Sequence, residues 1–305
     1  MARLRRDIAE LDGVWSPEIE WYARAILDLW QRPANDRTSW RYLGAIHGID
    51  LNGWLQAGIL SQGEPLPPSN EQQRLFDQCQ HAGWYFLPWH RGYVAAFEAI
   101  VGQTIADLGG PDDWGLPYWN YLDTNNANAR NIPEAFLTPT LPDGTANPLA
   151  TPPRGGTQVL GPQPWFPGDI NLQAQGVRRY TAAPGTNSYG GGVTGFAQFG
   201  NQNGAVERNP HNSVHVLVGG VGVGQPPGWM SNPDYAALDP IFWLHHCNID
   251  RLWEAWMSNS GNVQETSAAW LGGPFPRRFQ MPDAAGNLSV FTPADTLPGG
   301  PLAPI

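Results

Sequence analysis

Asp239-Pro-Ile-Phe-Trp-Leu-His-His-Cys-Asn-Ile-Asp-Arg-Leu-Trp253 is the stretch from which the fold is read first. Asp239 is a natural helix N-cap, and Pro240 suits the first helical position, where a missing N–H leaves nothing unpaired. The block predicts a helix over 239–258. His245 and His246 are adjacent on it, so their rings leave the helix in different directions. Working outward, 17–31 carries apolar residues at i, i+3, i+4 and i+7, the pattern of an amphipathic helix. Residues 38–48 predict a shorter helix. Residues 71–107 predict two, broken near Pro88, the second running from Trp89 to about Asp107. The expected fold class is therefore mainly α, with four helical blocks separated by long irregular stretches.

All seven histidines lie in or beside these blocks: His47, His81, His90, His211, His215, His245 and His246. In His211-Asn-Ser-Val-His215 the i, i+4 spacing places two imidazoles on one helix face, the arrangement by which paired histidines hold a metal. His81 and His90 would face opposite ways on one continuous helix, but the break at Pro88 lets the chain bring them together. Of His245 and His246, one is expected to ligate and the other to line the cavity. Two sets of imidazoles without carboxylates suit iron or manganese poorly, and a blue copper site would need a thiolate. Three-histidine zinc is an alternative. A binuclear copper pair fits the donor set best, because imidazole suits copper well. Asp250, four residues after His246, is a candidate orienter of that ring, or else the partner of a nearby arginine. Phe242 and Phe86 are expected to pack on the imidazoles.

The remaining composition narrows the function. The chain has 305 residues and a net charge of −10, with only 14% charged residues and 15 Trp. An acidic balance without a basic cluster argues against nucleic acid and anionic membrane as partners. No apolar run approaches the roughly 18 residues a spanning helix needs, and the start of the chain has no apolar stretch of the kind an export signal carries. All 17 basic residues are arginine. Cys79 and Cys247 could form one bridge, but both sit beside histidines, which suggests another role.

Residues 109–205 are rich in Gly, Pro, Asn and Thr and predict loops with a few short strands at most. Their aromatic residues, Trp114, Tyr118, Trp119, Tyr121, Trp165 and Phe166, favour packed rather than free loops. Residues 259–305, rich in Pro and Gly from 272 onward, are expected to wrap the core as extended chain. With no linker evident, 1–305 is expected to be one domain.

Two long motifs carry a specific resemblance. His81-Ala-Gly-Trp-Tyr-Phe-Leu-Pro-Trp-His-Arg-Gly-Tyr-Val-Ala-Ala-Phe-Glu98 resembles the first copper motif of tyrosinases and polyphenol oxidases, and 239–253 resembles their second. With His47 and His211-Asn-Ser-Val-His215, the resemblance covers roughly 38–258. It implies a type 3 copper protein, a four-helix bundle holding two copper ions. Carried over, His47, His81 and His90 bind one copper and His211, His215 and His246 the other. His245 is left as a non-ligand at the cavity wall. Cys79-Gln-His81 is similar to the pattern in which some members join the Cys sulfur to the His ring. Glu207, four residues before His211, together with Asn212, matches a pair proposed in plant-like members to hold the water that deprotonates a phenol.

The resemblance implies oxidation of small o-diphenols to o-quinones with O2 as co-substrate, and hydroxylation of monophenols. The chain departs from the family in having no evident C-terminal covering domain and in carrying Val216, where some strongly monophenol-active members have Arg. A haemocyanin-like dioxygen carrier and an o-aminophenol oxidase are the alternatives, since both use the same histidines.

Overall fold

The computed structural model describes residues 4–150, 152–161, 169–221 and 227–303, so Trp165 and Phe166 lie outside the described residues. Nine helices are described: α1 Pro17–Gln31, α2 Trp40–His47, α3 Leu51–Gln56, α4 Ser69–Leu75, α5 Phe86–Asp107, α6 Ser213–Gly219, α7 Pro233–Ala236, α8 Pro240–Met257 and α9 Ala268–Leu271. One antiparallel hairpin, β1 Phe279–Pro282 and β2 Leu288–Phe291, completes the regular structure. α5 is the axis of the bundle, packing against both α1 and α8, while α2 packs on α1.

Each helix follows from its residues. α1 buries Ile19, Tyr22, Ala23, Ile26 and Leu29 on one face, the spacing seen in the sequence. In α8, the Asp239 side chain accepts from Ile241 N at 3.1 Å and also pairs with Arg154. α5 is apolar on nearly every side, burying residues from Phe86 through Ile105, as a central helix must. It begins at Phe86 rather than at Trp89. Pro88 falls within the first turn, where its absent N–H has no helical acceptor to lose. The expected break is displaced to 76–85, where Asp77 and Ala82 take positive φ of 54° and 50°.

The 109–205 stretch has no described strand, only isolated bridges. Its aromatic residues dock it: Trp114, Trp119 and Tyr121 are buried, and Trp119 N donates to Leu244 O on α8. Cys79 and Cys247 are both buried free thiols, so the bridge between them is not formed. In 259–305 the hairpin lies over α5. A Cβ on Gly92 would come within 2.2 Å of Phe291, so glycine is what lets the hairpin sit so close.

One turn along α8 from His246 is a charged lock. Arg91 Nε donates to Asp250 Oδ1 at 2.5 Å and Arg91 Nη1 to Thr296 O at 2.7 Å. Arg5 bonds the other Asp250 oxygen and Glu98. Four separate parts of the chain meet there. Truncating one member of a buried pair strands its partner, which typically costs about 3–5 kcal/mol. Asp250→Ala is therefore expected to lower stability by about that amount in urea unfolding, with metal stoichiometry unchanged in the folded fraction.

Candidate metal centre

His47 ends α2, a helix started by the Ser39 side chain accepting from Tyr42 N. Its Nδ1 lies 2.9 Å from Pro233 O. His90, in the first turns of α5, places Nδ1 2.8 Å from Phe86 O, one turn back. His81 sits on the irregular 78–82 segment, whose backbone pairs with 197–202: His81 N donates to Gln198 O and Gly200 N to His81 O. The three ring centroids are 5.3–5.7 Å apart.

The second group comes from 207–219 and α8. Glu207–Asn212 is a wide turn kinked at Asn209, leading into α6. The expected helix face survives across the junction: the His211 and His215 rings are 4.5 Å apart. His215 Nδ1 lies 2.7 Å from Met230 O, and His211 Nδ1 2.8 Å from Asn212 Oδ1. His246 stacks on His90 at 4.6 Å and 17°, and its Nε2 is 3.3 Å from that of His215. Phe242 packs on the His246 ring at 4.1 Å, and Phe86 lies 4.6 Å from both His90 and His211.

These nitrogens are what a metal pair needs. Where Nδ1–H donates to a carbonyl, the ring is held neutral with the Nε2 lone pair turned inward. The Nε2 atoms of His47, His90, His211 and His245 are buried without a partner, an arrangement that costs free energy unless something ligates them. His211, His215, His245 and His246 bring one nitrogen each within 4.8 Å of one another; a nitrogen each from His47 and His81 and the Cys79 sulfur lie equally close. Burial is the main cause lowering every imidazole pKa, His47 to about 3 and His215 to about 4. For His81, His90, His211, His245 and His246, burial reinforced by the neighbouring imidazoles takes it well down.

The other candidates divide. Glu207 is buried, and its Oε1 accepts from Ala82 N at 2.7 Å. Burial raises its carboxyl to about 8, against the hydrogen bonds from Ala82 and Gly204 and the charge of Arg208. Glu207 and Asn212 line one cavity of about 340 Å³ that also reaches His47, His81, His211 and His215. Cys79 lies beside His81, its thiol pushed up by burial. Asp250 does not orient His246. Its carboxylate is taken by Arg91 and Arg5, one turn along α8 from the His246 ring, and His246 Nδ1 has no hydrogen-bond partner. His245 does not line the cavity: it is fully buried, its Nδ1 3.0 Å from the Tyr121 hydroxyl. Tyr121 and the carbonyls of Met230 and Pro233 were not foreseen, since carbonyl direction leaves no trace in a sequence and Tyr121 stands in a loop without periodicity.

Bundle and histidine cluster agree with the comparisons to known proteins. The common central domain of tyrosinase matches residues 37–259, and the chain belongs to the tyrosinase family. It is 38% identical to tyrosinase HcTyr1 of Hahella sp. (strain CCB-MM4) over 93% of its own length and 59% of that protein. It is 26% identical to the chloroplastic (+)-larreatricin hydroxylase of Larrea tridentata, over 84% of its length and 42% of the relative. It thus spans less than two thirds of either relative. Among solved structures, latent apple tyrosinase superposes with a TM-score of 0.66 at 20% identity, over 96% of this chain and 60% of that one. A copper-bound mutant of the active Aspergillus oryzae tyrosinase, complexed with L-tyrosine, gives 0.60 at 21%, over 97% and 89%.

Neutral buried imidazoles carry a pH signature. Their folded pKa values lie below the unfolded one, so unfolding takes up protons at acid pH. Their contribution is intact above about pH 6.5 and lost as pH falls toward about 3. The metal-free protein is expected to lose stability on acidification with a slope of several protons, each worth about 1.4 kcal/mol per pH unit. Urea midpoints between pH 7.5 and 5 check this; a slope of one proton or less contradicts it.

Proposed function

We propose that this chain is the catalytic unit of a type 3 copper phenol oxidase, formed by 1–305 as one domain, which oxidises small o-diphenols to o-quinones with O2 and hydroxylates monophenols. The observation that carries the reading is the pair of adjacent imidazole groups beneath one cavity. His47, His81 and His90 would hold one copper, and His211, His215 and His246 the other. His246 is preferred to His245 because its ring stacks on His90 of the first group and its Nε2 lies 3.3 Å from that of His215. When bound, the copper pair supplies two-electron exchange with dioxygen and a Lewis-acidic seat for a phenolic oxygen.

The chain's own residues do the rest. Phe242 and Phe86 pack on the imidazoles and fix their planes. A diphenol releases two protons and two electrons to become the quinone. A monophenol must first lose its proton, and Glu207 is placed to take it through a water. Burial leaves its carboxyl protonated at neutral pH in the metal-free chain, and nearby cations would return it to the carboxylate form. The Asn212 oxygen is turned to His211, which leaves its amide N–H groups for that water. Cys79 Sγ lies within 4.8 Å of a His81 ring nitrogen, and a thioether closed between the two residues would remove two hydrogens with O2 as the oxidant.

Two tests bear on this assignment. His246→Ala is expected to lose copper by metal analysis while His245→Ala keeps both ions; the reverse outcome exchanges the pair. Glu207→Gln is expected to cut monophenol turnover by roughly ten- to a hundredfold and diphenol turnover far less, the range of a lost general base. An equal fall for both substrates would mean structural damage instead.

A further inference from the structure

One wall of the cavity is aromatic and has no part in the chemistry above. Phe199 is 61% exposed, lines the cavity, and lies nearly parallel to the His81 ring, at 18° with centroids 5.7 Å apart. Its position is built rather than incidental. Besides the two bonds flanking His81, Gln202 N donates to Ala82 O and Ala197 N to Gln80 Oε1, so the loop is fastened along the segment that carries His81. Those bonds need no phenyl group. A large apolar face held open to water beside a concave site gives up burial that the fold could otherwise have used, and such faces mark ligand contacts. The rest of the wall includes Val216, Met230 and Ala236, and among the described residues lining the cavity there is no arginine.

We propose that Phe199 determines specificity: its open face takes the flat, uncharged arm of a phenol whose hydroxylated ring lies over the imidazoles. Substrates with a conjugated apolar substituent are then favoured over those bearing a carboxylate, for which the lining offers no arginine. This rests on the phenol-oxidase reading and adds the substrate class to it.

The test compares the copper-loaded parent with Phe199→Ala and Phe199→Trp. Methyl 3,4-dihydroxycinnamate and unsubstituted catechol serve as substrates, and methyl cinnamate, which has no hydroxyl to oxidise, as a binding probe by calorimetry. In Phe199→Ala the ratio of KM for the ester to KM for catechol is expected to rise roughly three- to tenfold, the worth of one aromatic contact. Methyl cinnamate should weaken by a similar factor, and Phe199→Trp should restore both. An unchanged KM ratio, or methyl cinnamate binding that is absent or equal in parent and Phe199→Ala, overturns the proposal. If the parent oxidises neither diphenol yet methyl cinnamate still distinguishes the variants, the oxidase reading falls and the aryl site stands.

Discussion

Seven neutral imidazoles are packed together at the foot of one cavity, and the rest of the molecule is arranged around keeping them neutral and fixed. An imidazolium there would be desolvated and surrounded by its own kind, which is why every one of these pKa values is driven down. Neutrality creates a second demand. Each ring has one N–H and one lone pair, and both need an assigned direction. For His47, His90 and His215 the N–H direction is set by carbonyls of Pro233, Phe86 and Met230, which leaves the lone pair for the interior. Phe86 and Pro233 open α5 and α7, and Met230 stands in the short helical turn just before α7.

This explains what could and could not be read from the residues. The helices were legible because their causes are local. Pro17 and Pro240 mark two starts, and Ile19, Tyr22, Ile26 and Leu29 mark a face. The histidines were legible because their number and spacing have few other uses. Partner directions were not legible. His246 and Asp250 are one turn apart, yet the carboxylate belongs to Arg91, a partner 159 residues away, and no spacing rule reaches that far. The same holds for Tyr121, which meets His245 across 124 residues, and for Phe199, which reaches His81 only through backbone pairing of two irregular segments.

The polar contacts therefore fall at two levels along α8. At one level lie imidazoles, rings and orphaned nitrogens. One turn on, Arg5, Arg91, Glu98 and Asp250 join the first residues of the described chain, α5, α8 and the segment at Thr296. That separation keeps the ion-paired carboxylates away from the imidazoles, where they would favour the protonated rings that the site must avoid; Glu207, the carboxyl that does line the cavity, is pushed toward its neutral form by burial.

The carbonyls of Met230 and Pro233 hold one imidazole from each group, His215 and His47, and they stand three residues apart on one short stretch of chain. That stretch works as a caliper. The gap between its jaws is set by the backbone of a few consecutive residues and not by how two long helices happen to dock. Breathing of the bundle is thus partly decoupled from the spacing of the two halves. Conversely, Met230 and Pro233 also line the cavity, so whatever presses on that wall pushes both jaws at once.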